Sequence, residues 1–177
     1  MPSQLEIYNY TLLALGEKPI TNIKNAEDID IIYEITVREL LIEFFQSFSV
    51  KNDELLPLGN TGKEFNIPTD FLYCLDINGN KNWYRQFGYI EEYKFITYRK
   101  IASVKMLYIK RVDEKVFSPH FAQFLSIALA KKLMLAYKVN GNIMQIINNQ
   151  YDRLRNKLHT GNYLPIETFK GDRFLNY

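Results

Sequence analysis

The chain has 177 residues, of which 47% are hydrophobic and 15% aromatic, enough apolar material for a packed core and too much for a disordered chain. One cysteine, Cys74, excludes an internal disulfide, and no apolar run approaches the ~18 residues of a membrane span. The formal net charge of +2 hides a split: residues 1–50 carry three basic and eight acidic side chains, whereas residues 118–177 carry eight basic and three acidic ones. A chain polarised in this way suits self-association or docking at least as well as nucleic-acid binding. No charged segment with a following apolar run marks a signal peptide at the N-terminus.

In chain order, the first predicted element is a helix over 3–15. Ser3 and Glu6 form a capping box, and Leu5, Tyr8, Leu12 and Leu15 share one face. Gly16 stands where a left-handed C-terminal cap belongs, and Pro19 prevents the helix from resuming. A second helix is expected over 26–48. Glu27, Asp28 and Asp30 crowd its first turn, where carboxylates favour the positive end of the dipole. Its apolar stripe is read as Ile29, Ile32, Val37, Leu40, Leu41, Phe44, Phe45 and Phe48.

Between residues 52 and 112 the pattern changes to short β-branched and aromatic runs. Runs at 64–67, 71–77, 83–87, 94–99 and 104–110 predict one antiparallel sheet, with Asn78-Gly79 as a hairpin turn. Helical grammar returns at Ser118-Pro119, a cap followed by proline at the first helical position. The helix over 119–138 is apolar almost all round, which calls for cover on most sides. A last helix is expected over 142–159, from Ile143, Ile147, Tyr151, Leu154 and Leu158. Residues 162–177 hold Pro165, Gly171 and several apolar side chains but no helical spacing. This segment reads as an extended docking tail able to reach about 50 Å at ~3.3 Å per residue.

The fold class expected is therefore α+β: mainly a bundle of four helices, with an inserted antiparallel sheet and an extended C-terminal tail. Residues 1–161 form a single domain in this reading. The tail is assigned partner docking through Phe169, Phe174 and Tyr177, with Lys170 and Arg173 meeting acidic groups at the rim.

Catalytic chemistry is hard to find. Gly59-Asn60-Thr61-Gly62-Lys63 lacks the spacing of a phosphate loop and reads as a turn. His120, His159 and Cys74 have no partners at metal-ligand spacing, and Asp70 after Pro68-Thr69 reads as a turn-fixing side chain. Lys81, Trp83, Tyr84, Arg85 and Tyr89 interleave bases with aromatics as single-strand binders do, though a half-exposed sheet has the same look. No catalytic residue, cofactor or metal site is assigned, and the chain is expected not to be an enzyme.

The order of these pieces resembles one family, the head-to-tail connector adaptors of short-tailed phages, also called tail tubular protein A. The matching phrases are Leu15-Gly16-Glu17-Lys18-Pro19-Ile20, the aromatic end of the second helix, and Phe65 to Leu72 with its Pro68 and Asp70. Tyr108-Ile109-Lys110-Arg111-Val112-Asp113 and Phe117-Ser118-Pro119-His120-Phe121 complete the series. The tryptophan common at the end of the second helix is replaced here by phenylalanine or serine. The resemblance spans residues 5 to about 160. It implies a structural virion protein of the neck, assembled in the bacterial cytoplasm as a ring, typically twelvefold. Such a ring joins the portal protein to a tail nozzle or further tail ring, and genomic DNA passes its channel non-specifically; no membrane is involved. The abundance of Ile, Asn, Lys, Tyr and Phe, residues of A/T-rich codons, points within that family to crAss-like phages. The alternative is a small nucleic-acid-binding or regulatory module using the basic C-terminal half, and a weaker one is a hydrolase whose site is not legible.

Overall fold

The computed structural model describes residues 2–44 and 47–160, with backbone alone at 47, 159 and 160. It is a mixed α+β protein with five α-helices and six strands among the described residues. In chain order these are α1 (Gln4–Leu15), α2 (Glu27–Glu43), β1 (Val50–Leu55), β2 (Glu64–Asn66), β3 (Phe71–Ile77), α3 (Trp83–Gln86), β4 (Gly88–Glu91), β5 (Lys94–Thr97), β6 (Val104–Lys110), α4 (Pro119–Leu133) and α5 (Gly141–Thr160). The chain divides into a helical unit, whose described residues are 2–44 and 112–160, and a strand-rich unit, residues 47–111.

Local chemistry sets the helix ends. The Glu6 N–H donates to Ser3 Oγ at 3.2 Å and the Ser3 N–H to Glu6 Oε2 at 2.7 Å, so the capping box closes in both directions. At the other end of α1, Gly16 takes φ 84°. Its N–H donates to the Leu13 carbonyl and that of Glu17 to the Leu12 carbonyl, the paired bonds of a Schellman cap. Ser118 caps α4 through the Phe121 N–H at 3.2 Å, with Pro119 at the first helical position.

Within the helical unit, α4 packs against α1, α2 and α5. Phe121, Phe124, Leu125, Leu129 and Ala130 are among its buried residues, which explains why its sequence is apolar all round. Phe44, just past α2, meets Phe124 edge to face at 5.2 Å between ring centres. The Tyr8 hydroxyl donates to Asp30 Oδ1 at 2.7 Å and accepts from Gln4 Nε2 at 2.8 Å, tying α1 to the first turn of α2.

Two three-stranded antiparallel sheets make up the strand-rich unit, ordered β1-β6-β3 and β2-β5-β4. Their shared core contains Phe65, Cys74, Ile77, Phe95, Val104, Met106 and Tyr108. On β6 the buried residues Val104, Met106 and Tyr108 alternate with Lys105 and Leu107 as expected, but Ile109 is buried as well.

Five expectations are corrected. The single inserted sheet is two sheets. The strand expected over 83–87 is the short helix α3. The Asn78-Gly79 turn forms, with φ 52° and 80°, yet the returning strand lasts one bridge, Ile77 to Asn80. Asparagine side chains divert it: Asn80 Oδ1 accepts the Asn82 N–H at 2.8 Å and Asn80 Nδ2 donates to Gln86 at 2.6 Å. Trp83 then packs edge-on against Phe95 at 5.7 Å. The helix expected over 26–48 stops at Glu43, and a 3₁₀ turn, Ser47–Ser49, directly precedes β1. The helix expected over 119–138 ends at Leu133, and residues 134–139 form the turn into α5, with Lys138 at φ 50°. β1 and β4 carry no run that alternates cleanly; Gly88 of β4 sits so close to β5 that a Cβ there would lie 1.9 Å from the Ile96 carbonyl oxygen.

Candidate functional site

Asp70, singled out for its place after Pro68-Thr69, does not spend its carboxylate on a turn. The turn closes by backbone alone, Phe71 N–H to the Pro68 carbonyl at 3.1 Å. Asp70 Oδ1 instead faces the buried Tyr108 hydroxyl at 3.1 Å, and Asp53 Oδ2 faces the same hydroxyl at 2.8 Å. A phenol has one proton to donate, so the two carboxylates share it. Lys51 Nζ lies 2.8 Å from Asp53 Oδ2. Burial and the two carboxylates push the Tyr108 phenol far above its ordinary range. Burial raises the Asp53 carboxyl, but the Lys51 and Tyr108 hydrogen bonds and the charges of Lys51 and Lys110 together hold it below its ordinary value. The pair is a phenol that keeps its proton beside a carboxylate that stays ionised. It clasps β1, β6 and the entry to β3, and neither group is poised near neutrality for proton transfer.

A second feature of the strand-rich unit is an open cleft of about 330 Å³, lined by Phe71, Tyr73, Cys74, Lys81, Trp83 and Tyr84 among others. It gathers much of the aromatic and basic stretch noted in the sequence. Arg85 lies over the Tyr84 ring at 5.6 Å, and the Tyr98 hydroxyl donates to the Tyr84 carbonyl at 3.0 Å. Tyr89 pairs with Tyr98 at 6.3 Å. The Cys74 thiol is buried, and that burial pushes it up to about 12, so it is not a thiolate at neutral pH.

The other sequence candidates fall into place as follows. The 59–63 segment is a turn, its carbonyls at Gly62 and Lys63 accepting from Ile101 and Thr97. His120 is exposed near the start of α4, and the His159 side chain lies outside the described residues. Among the described residues no group of three or more His, Cys, Asp or Glu side chains could hold a metal. No helix among them is long and apolar enough to cross a membrane. Gly16 and Pro119 sit at the helix ends expected of them, and Pro19 lies in the irregular return after α1. The docking residues Phe169, Lys170, Arg173, Phe174 and Tyr177, with the rest of 162–177, lie outside the described residues.

The feature that sequence reasoning missed is on α2. Ile29, Tyr33, Val37, Leu40 and Leu41 face inward and are buried. Ile31, Ile35 and Ile42 are 73%, 55% and 37% exposed. Their spacing of four and seven residues places all three on one outward stripe. Glu27 and Arg38 border it on one side, Asp28 and Glu39 on the other. The signal lay in the sequence as a second periodic set, hidden because one apolar stripe had already accounted for the helix. Neither protein-family models nor characterised proteins give a match to this chain.

Proposed function

We propose that this chain is a structural virion protein, the subunit of a head-to-tail adaptor ring in a short-tailed phage. In this reading the ring sits below the portal, joins it to a tail nozzle or further ring, and lines part of the channel through which DNA is ejected. The protein acts by holding shape and needs no catalysis or cofactor. The helices α1, α2, α4 and α5 are taken as one four-helix bundle, interrupted between α2 and α4 by the strand-rich unit.

The observation that supports this best is where the phrases of the resemblance fall. Three of them mark joints: Gly16 ends α1, Asp70 anchors the entry to β3 on Tyr108, and Pro119 opens α4. An acidic first third and a basic last third also favour contact between unlike faces of neighbouring copies, the type that closes into rings. The test is to mix the purified protein with its cognate portal and image the particles. A ring of density on one end of the portal is expected; portal particles that recruit no protein would refute the reading.

One observation favours a second reading. The cleft beside Lys81, Trp83 and Tyr84 could stack bases, as single-strand binders do. Under it, a labelled single-stranded oligonucleotide would bind with an affinity that falls steeply with salt. The adaptor reading expects no such affinity in the isolated chain.

A further inference from the structure

The outward stripe of α2 presents three isoleucines in the middle of a helix face that water should own. A β-branched aliphatic side chain 73% exposed, as Ile31 is, has no folding role, and three share one outward face of a helix about 25 Å long. The strip's rim is acidic on balance: Glu27, Asp28 and Glu39 border it against one base, Arg38.

The same unit carries a face of the opposite character. Residues 119–160 hold six lysines and arginines and one acid, Asp152. On the outward side of α5, Arg153 and Lys157 are exposed around Ile146, itself 54% exposed. Leu135, in the turn before α5, is 74% exposed. The two kinds of surface already attract within one chain, since Glu39 pairs with Lys132 and Glu43 with Arg155.

We infer that the outward face of α2 is a docking surface for a second copy of this chain, which presents its α5 face with Ile146, Arg153 and Lys157. The isoleucines meet Ile146 at the centre, and the acidic rim of α2 meets the basic rim of α5. The inference rests on the ring reading and deepens it by naming the two faces. Because they differ, the contact is heterologous: every copy has one of each, and association continues until it closes or runs on.

Heterologous contact has a specific test. Ile31→Glu/Ile35→Glu blocks one face, and Ile146→Glu/Arg153→Glu blocks the other. The four positions are outward-facing, so circular dichroism and melting temperature are expected to stay near wild type. Should the first variant melt early, the single change Ile35→Lys serves in its place. By light scattering after size-exclusion chromatography, wild type is expected as an oligomer and each variant alone as a monomer. An equimolar mixture of the two variants is expected to give a species of twice the 21.0 kDa chain mass, because each retains the face the other lacks. A blocked variant that keeps the wild-type mass, a mixture that stays monomeric, or a wild-type chain monomeric at every concentration overturns the inference. Failure of the ring reading itself shows elsewhere, in portal particles that recruit none of the wild-type chain.

Discussion

Asn9 grips Ile20 with both ends of its amide. The Ile20 N–H donates to Asn9 Oδ1 at 2.7 Å, and Asn9 Nδ2 donates to the Ile20 carbonyl at 3.1 Å. The residue that follows Pro19 is thereby pinned against the middle of α1, and the chain is sent back towards α2. The firm stop at Gly16 has this purpose: the return is short and must leave at a set angle.

Replacing Asn9 by Leu removes both bonds and leaves two half-buried backbone groups without their partner. The expected loss is about 1–3 kcal/mol, measured by urea denaturation. Asn9→Asp keeps the acceptor and loses the donor, so it should fall between wild type and Leu. Equal stabilities for all three would remove the clasp from the account.

Gly16 holds φ 84° with only Ile143 Cδ1 near, 3.5 Å from where a Cβ would sit. Space is therefore not the constraint; backbone strain is. Gly16→Ala should cost about 1–2 kcal/mol, and Gly16→Val more, because a β-branched side chain tolerates the left-handed region least. Thermal melts that overlay wild type would contradict the cap.

Tyr108→Phe keeps the buried ring and deletes the one donor shared by Asp53 and Asp70. A loss of about 1–3 kcal/mol is expected, with the strand-rich unit affected first. Asp70→Asn should cost less, since Asp53 still accepts from the hydroxyl. Hydrogen exchange at β6 amides would report the difference, rising in Tyr108→Phe and little in Asp70→Asn.

Alkali should unfold this protein through protons that only the unfolded chain releases. Burial, with Asp28 as its hydrogen-bond partner, pushes the Tyr137 phenol up to about 12 from an ordinary 10.0, and burial carries the Cys74 thiol from 9.0 to about 12. Tyr8 and Tyr108 shift in the same direction. For a group whose folded value is raised, stability is complete below the unfolded value and is lost as pH climbs towards the folded one. The urea midpoint should thus be flat from pH 7 to about 8.5 and drop steadily from pH 9 to 11. Tyrosinate absorbance at pH 11 should show fewer ionised phenols in the folded chain than in the unfolded one.

Much of the helical unit was legible because its punctuation is local. Ser3 with Glu6, Gly16, and Ser118 with Pro119 each act on backbone groups within about four residues, so the type of residue suffices to place the boundary. The Asn78-Gly79 turn was legible for the same reason. Misread stretches depend on partners far away in the chain. The polar run Val50–Leu55 is a strand because β6 offers it hydrogen bonds from more than forty residues on, with Leu55 opposite Val104. The aromatic run at 83–87 turns helical where Asn80 has drawn the chain aside by accepting the Asn82 N–H, and Phe95 receives Trp83.

The sequence by itself determined where α1 begins and ends, where α4 begins, that the chain mixes helices with antiparallel strands, and that its charge is polarised, since these follow from residue type and spacing alone. Only the tertiary structure decided that Asp70 serves Tyr108 rather than its own turn, and that Ile31, Ile35 and Ile42 look outward. Periodicity counts apolar faces but not which of them is covered; coverage is a property of packing, and packing is set by residues that meet only when the chain has folded.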